Sequence, residues 1–192
     1  LTALALGLEK HYGGEGPAIY CGKVGESAIP VVTNVLGSRA RYALSLDVDE
    51  SLIADEWQKR EAGAVPPVLL DEGQVQETIW LEDEIDLGRL PVLTHFAEDA
   101  GPYITSGIMI AKDSKTGVRN GSFHRCQVKG ARTLATSLHS RRHLWQLAEE
   151  AEGKGEPLEV AIVNGAHPLF YFGCGMWKGS ITTDEYDIAG GF

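Results

Sequence analysis

The sequence predicts an α+β fold, a small N-terminal α/β lobe followed by a mostly antiparallel, β-rich domain. Three observations carry that prediction. Helical spacing and short apolar runs alternate through residues 1–62, β-type segments dominate from about residue 75, and one amphipathic helix interrupts them at 141–152. At 192 residues, 43% hydrophobic and 23% charged, the chain is large enough for one packed domain with a smaller lobe attached. The division is expected at residues 1–75 and 76–192.

In the first lobe Leu1, Leu4, Ala5 and Leu8 share a helical face that Gly13-Gly14 must end. The runs 17-PAIYCGK-23 and 29-IPVVTNV-35 read as strands. Ser38 is placed to cap a helix over 39–46, and Ser51 another over 52–62 that Gly63 closes. Pro66-Pro67 opens an extended segment. In the second region 76-QETIW-80, 103-YITSGIMIA-111, 117-GVRNGSFHRCQVK-129 and 132-RTLATSLH-139 read as strands, with 112-KDSKTG-117 as a hairpin turn. Leu144, Leu147, Ala148 and Ala151 form one face of the helix that Gly153 is expected to end. A strand at 158–165 and a turn or short helix begun by Pro168 follow.

The net charge of −10 excludes a general nucleic-acid binder, which needs a basic surface. No apolar run reaches the roughly 18 residues of a membrane span. The first ten residues lack a signal-peptide pattern, and three widely spaced cysteines form neither a disulfide framework nor a CxxC zinc site. A cytoplasmic protein with reduced thiols is expected.

Two stretches carry the chemistry. In 139-HSRRHLWQLAEE-150, Ser140 is the expected N-cap, which puts Arg141, Arg142 and His143 in the first helical turn. Cations oppose the helix dipole there, so an anion such as a phosphate at the helix start is one explanation and a solvated basic turn the other. In 117-GVRNGSFHRC-126 polar donors crowd what reads as a strand. A phosphate with a divalent cation wants oxygen ligands and tolerates an imidazole, which Asn120, Glu185 and His143 offer. Each also has an ordinary reading: a turn Asn before Gly, a solvated Glu, a surface His.

Beyond these, 102-PYITSGIMI-110, 116-TGVRNGSFHR-125, 139-HSRRH-143 and 184-DEYDIAGG-191 resemble the UbiD family of decarboxylases. The likeness continues in 31-VVTNVLGSRARYALSLDV-48 and 90-LPVLTHFAEDAGPYIT-105. The resemblance implies a split-barrel-like flavin-binding domain that uses prenylated FMN with a divalent metal (Mn2+ or Mg2+) and K+. It implies Asn120, His143 and Glu185 as metal ligands, 23 and 42 residues apart, and Arg125 as the catalytic residue that holds the substrate carboxylate. Thr105, Ser122, Arg141 and Arg142 fall where cofactor contacts are expected, and Cys174–Trp177 matches the loop that offers K+ backbone oxygens.

The implied activity is non-oxidative decarboxylation of an aromatic or α,β-unsaturated acid. The implied partners are a small carboxylic acid, a flavin prenyltransferase that supplies the cofactor, and further copies of the full-length chain in a homo-oligomer. The family's acid–base glutamates lie beyond Glu185 and have no match here. The chain is therefore expected to be a fragment or part of a split enzyme, inactive alone; a flavin-binding accessory subunit without catalysis is the alternative. A metal-dependent hydrolase built on His143 and Glu185 lacks any visible nucleophile.

Asn120 and Arg125 lie five apart and would face opposite sides of a regular strand, so a bulge or bend is expected at Asn120-Gly121, the alternative being a flavin across the strand's end with metal and ring in different directions. His124 and Arg119 are expected on the opposite side or the surface. Phe170, Tyr171, Phe172 and Trp177 are read chiefly as core.

Overall fold

A computed structural model describes residues 1–176 and 182–192. Helix α1 (Thr2–His11) buries none of its residues and ends before Gly13 and Gly14, both at positive φ. Strands β1 (Ile19–Cys21) and β2 (Val31–Thr33) pair antiparallel. Asn34 closes their base by donating from Nδ2 to the Gly16 and Pro17 carbonyls at 2.8 and 3.0 Å. Helix α2 (Arg39–Leu46) starts where the sequence predicts, because Ser38 Oγ accepts from the Arg41 N–H. Helix α3 (Ile53–Ala62) does not start at Ser51. A 3-10 turn at Glu50–Leu52 takes up that residue, and Leu52 caps the helix without a side-chain bond. Gly63 ends it as expected.

No strand forms at 76–80. This stretch leaves Ile79 59% exposed and follows a 3-10 turn at Gln74–Gln76. Trp80 finds cover from the Arg89 guanidinium, 3.8 Å above its ring, instead of from a neighbouring strand.

The remaining elements are β3 (Tyr103–Ile104), β4 (Ile108–Lys112), β5 (Arg119–Phe123), β6 (Cys126–Gly130), β7 (Thr133–Thr136), α4 (His143–Lys154), β8 (Val160–Val163), α5 (Pro168–Gly175) and α6 (Glu185–Gly191). They build two three-stranded antiparallel sheets, β3-β6-β7 and β5-β4-β8. Each long strand read from the sequence is therefore two strands in two sheets. One breaks at 105–107 and the other at His124-Arg125. The two breaks meet where the His124 N–H donates to the Gly107 carbonyl at 3.3 Å. A Cβ on Gly107 would sit 3.0 Å from Ile104 Cγ2 and 3.1 Å from Ile162 Cγ2, so a larger residue at this corner would have to push those side chains aside.

This corner corrects the expected bend. The β4–β5 ladder runs without a bulge from Ile108 opposite Phe123 to Lys112 opposite Arg119, so Asn120-Gly121 is regular strand. The chain turns three residues later and carries Arg125 out of the sheet that holds Asn120. Strand parity no longer relates the two residues.

The core between the sheets gathers Ile104, Met109, Ala111, Cys126, Leu144 and Leu147. Helix α4 differs from expectation at both ends. Residues His139–Arg142 form a turn closed by Arg142 N–H to His139 O, and Arg141 takes a positive φ of 68°. Helical dihedrals therefore begin only at His143, with Arg142 rather than Ser140 as the cap. At the other end Gly153 stays helical and Gly155, left-handed at φ 71°, ends the helix. Among the described residues no helix is long and apolar enough to cross a membrane.

Aromatic packing joins the first lobe to the end of the chain. Phe172 of α5 stacks on Tyr42 with centroids 5.0 Å apart, and Trp57 meets Phe172 at 4.9 Å and Phe192 at 4.8 Å. Arg60 donates to the carbonyls of Leu46 and Phe192. Phe172 is thus core, as read from the sequence; Trp177 lies outside the described residues.

Helices α5 and α6 touch at Gly173, where an added Cβ would fall 2.5 Å from Ala189 Cα. Gly173→Ala is expected to lower stability by about 1–3 kcal/mol in urea unfolding, as overpacking does. An unchanged midpoint would contradict this contact.

Candidate functional site

Three elements bring Asn120, His143 and Glu185 together. Asn120 is the second residue of β5, His143 the first of α4 and Glu185 the first of α6. Their exposures are 6, 8 and 5%, so these polar groups are buried and need partners. Glu185 Oε1 accepts from Asn120 Nδ2 at 3.2 Å, and its Oε2 accepts from the Gly121 N–H at 3.1 Å. His143 Nδ1 lies 3.9 Å from Glu185 Oε1. Gly121 makes the approach possible, since a Cβ there would come within 2.8 Å of Cys174 Sγ.

The start of α6 is itself fixed. Asp184 caps the helix through the Tyr186 N–H at 2.9 Å, and its other oxygen accepts from the Arg119 N–H and Nε at 3.1 and 2.9 Å. The Arg119 guanidinium also lies 4.6 Å above the Tyr186 ring. Arg119 is therefore not a bystander: it sets the position of the residue before Glu185. His124 likewise leaves the surface role expected for it. Half-buried, it bonds Ser122 Oγ through Nε2 at 3.0 Å, while Ser122 Oγ donates to Asn120 Oδ1 at 3.1 Å. Strand alternation already places it there: Asn120, Ser122 and His124 are two apart and share one face, a parity that the expectation of an outward His124 passed over.

These groups line a cavity of about 280 Å3. Asn120, Ser122, Arg142, His143 and Glu185 border it, as do His124, His139 and the segment Cys174–Met176. Thr105, Arg125 and Arg141 do not; all three are exposed. Arg141 sits at positive φ in the turn before α4, and Arg125 lies past the corner, between β5 and β6.

Burial raises the Glu185 carboxyl to about 6, against the lowering effect of the Gly121 and Asn120 hydrogen bonds. Burial, with Arg142 nearby, lowers the His143 imidazole. At neutral pH the pair thus holds one negative charge beside a neutral imidazole. Cys174 is pushed up to about 12 by burial and by Glu185 and Asp184, so its thiol stays un-ionised and is neither nucleophile nor thiolate ligand. Among the described residues no three of His, Cys, Asp or Glu gather as a metal cluster. The set here is two such residues with the Asn120 carboxamide as third donor. A buried anion, a neutral imidazole and an amide oxygen suit a hard or borderline divalent cation, so the residues fit one.

The architecture is that of an α+β domain whose polar cavity lies where one antiparallel sheet meets the starts of two helices. The chain belongs to the UbiD family: residues 68–192 match the 3-octaprenyl-4-hydroxybenzoate carboxy-lyase Rift-related domain, and residues 2–61 match the N-terminal domain of the same carboxy-lyase. Anhydromevalonate phosphate decarboxylase of Methanothermobacter thermautotrophicus is 36% identical over 87% of this chain and 38% of its own. An evolved dimeric form of the UbiD-class enzyme HmfF from Pelotomaculum thermopropionicum, in complex with prFMN, superposes with a TM-score of 0.87. It is 35% identical over 98% of this chain and 44% of its own. The Klebsiella pneumoniae 3,4-dihydroxybenzoic acid decarboxylase AroY superposes at 0.82, with 28% identity over 92% of this chain and 38% of its own. The chain thus spans about two fifths of the length of these relatives. The expected α+β class with antiparallel sheets and the family likeness both hold.

The raised Glu185 carboxyl has a consequence for stability. Between its ordinary 4.5 and about 6 the folded state binds the extra proton, so stability falls as pH rises through that window. The loss is about 2 kcal/mol. His143, lowered, acts in the opposite sense and adds stability as pH rises toward 6.5. The causes that lower it, burial and Arg142, are retained in Glu185→Gln, so the comparison of wild type with this variant chiefly reports Glu185. With chelator present, the gap between their unfolding free energies is expected to widen in favour of the variant from pH 4.5 to 6 and stay level above. A gap independent of pH would contradict a buried, ionising Glu185.

Proposed function

We propose that this chain forms the N-terminal lobe (1–75) and cofactor-binding domain (76–192) of a non-oxidative decarboxylase. Its substrate would be an aromatic or α,β-unsaturated carboxylic acid and its cofactor prenylated FMN with Mn2+ or Mg2+ and K+. The observation that carries the proposal is the meeting of Asn120, His143 and Glu185 in one buried wall, in a chain whose relatives are decarboxylases.

In this reading Asn120, His143 and Glu185 hold the divalent cation, which offsets the charge that Glu185 otherwise keeps unpaired by a cation in that wall. Arg142 and the uncapped first turn of α4 offer donors to the cofactor phosphate, an arrangement that suits an anion at a helix start. Ser122 borders the same cavity. Thr105 and Arg141 take their cofactor contacts from outside its present lining. The backbone of Cys174–Met176 borders the cavity and serves K+, while Trp177 lies outside the described residues. Prenylated FMN supplies, when bound, the electron sink for the bond that breaks as CO2 leaves. Arg125, exposed just past the sheet corner, presents a planar, permanently charged fork to the substrate carboxylate. The full-length protein assembles as a homo-oligomer and receives its cofactor from a flavin prenyltransferase.

Glu185 is the one carboxylate among the described residues that line the cavity, and Asn120 and Gly121 already engage it. The proton that replaces CO2 must then come from outside these residues. This favours a non-catalytic, flavin-holding role for the chain when it is isolated.

Co-expression with a flavin prenyltransferase is expected to yield protein carrying a flavin-like absorbance. Asn120→Ala or His143→Ala should lower its occupancy at least about tenfold, since even second-shell changes at metal sites cost that much. The isolated chain should release no CO2 from cinnamate-like or hydroxybenzoate-like acids. A colourless wild type, or variants as coloured as the wild type, would overturn the cofactor assignment.

A further inference from the structure

The hydrogen bonds around Asn120 leave only one way to distribute their protons. Both oxygens of Glu185 act as acceptors, one from the Gly121 N–H and one from the Asn120 amide, so Asn120 turns its NH2 toward Glu185. Its oxygen then faces Ser122 Oγ at 3.1 Å, and Ser122 must donate there. A hydroxyl has a single proton. The 3.0 Å contact between Ser122 Oγ and His124 Nε2 therefore needs its proton from the imidazole.

We propose that His124 is a positioning residue for the metal site, acting through Ser122 to fix the carboxamide of Asn120. The inference rests on the reading of Asn120, His143 and Glu185 as cation ligands. His124 donates from Nε2 to Ser122, and Ser122 donates to Asn120 Oδ1. An amide oxygen has two lone pairs, so Ser122 occupies one and leaves the other for a cation. Without the relay, the oxygen side of the Asn120 carboxamide loses its hydrogen-bond tether and no longer holds that lone pair in a fixed place. Outer partners of this kind commonly hold metal ligands in their binding orientation.

The main chain at His124 is tethered. Its backbone N–H is tied to the Gly107 carbonyl at the corner between the sheets, and its side chain lines the cavity. Burial and the neighbouring His139 lower its basicity, which keeps the ring neutral with one N–H to place. The same backbone turn carries Arg125 as its next residue. One corner thus orients a metal ligand through His124 and sets the place of Arg125.

The test is a titration of Mn2+ into the chain with saturating FMN, with free Mn2+ read by electron paramagnetic resonance. His124→Phe and Ser122→Ala should each weaken Mn2+ binding about tenfold or more. The double variant should be no weaker than the weaker single variant, because both break one relay. His124→Gln, whose Nε2 can replace the imidazole donor, should bind within about threefold of wild type; this rescue separates a hydrogen-bond role from loss of fold. Wild-type affinity in His124→Phe, or losses that multiply in the double variant, would overturn the relay while leaving the metal site standing. A wild type that binds no Mn2+ would overturn the metal reading and the relay with it.

Discussion

A carboxylate that ionises at neutral pH inside a wall only 5% exposed has to be held by donors, and the structure around the cavity is organised to hold Glu185. Burying such a charge without partners is prohibitive, whereas hydrogen bonds to a charged group contribute about 1.5–3 kcal/mol each. Two neighbouring residues of β5, Asn120 and Gly121, supply them. Delivering the carboxylate to that strand makes further demands. Gly121 must lack a side chain so that Cys174 and Glu185 can approach, and Gly173 must let α6 lie against α5. Arg119 must anchor Asp184, so that α6 begins one residue later with Glu185 facing the sheet.

The second constraint is the corner. Because β3 passes to β4 and β5 to β6 by changing sheets, the polar end of β5 is separated from the residue that follows it in sequence by only a turn. In one direction lie Asn120 and Ser122 in the cavity; in the other lies Arg125, exposed. The Gly107–His124 hydrogen bond joins the two breaks, so the geometry of the corner does not depend on either strand alone. This division suits a cofactor whose phosphate and reactive ring are addressed from different sides.

Much of this was legible in the residues. Ser38, Gly63 and the β4–β5 turn behave as local rules require, because each is satisfied within a few residues. Asn120, His143 and Glu185 were drawn together by likeness to a family, not by spacing, since no local rule brings residues 23 and 42 apart into contact. What stayed hidden depended on tertiary context. Ser140 is a good cap by type, but the turn at 139–142 and the left-handed Arg141 delay the helix. Among the described residues no strand pairs with the apolar stretch 76–80. His124, by contrast, was legible by strand parity, since it shares the face of Asn120 and Ser122, and taking it for an outward residue missed that signal. Arg119 gave no signal because its partner, Asp184, is 65 residues away.

The central claim is that the wall formed by Asn120, His143 and Glu185 is a cation site. Crystals grown with Mn2+ and FMN, measured on both sides of the manganese absorption edge, address it most directly. An anomalous peak within coordination distance of an Asn120 oxygen, a His143 nitrogen and a Glu185 oxygen is the expected result. A peak elsewhere on the chain, or none at this wall at full Mn2+ occupancy of the solution, would contradict it.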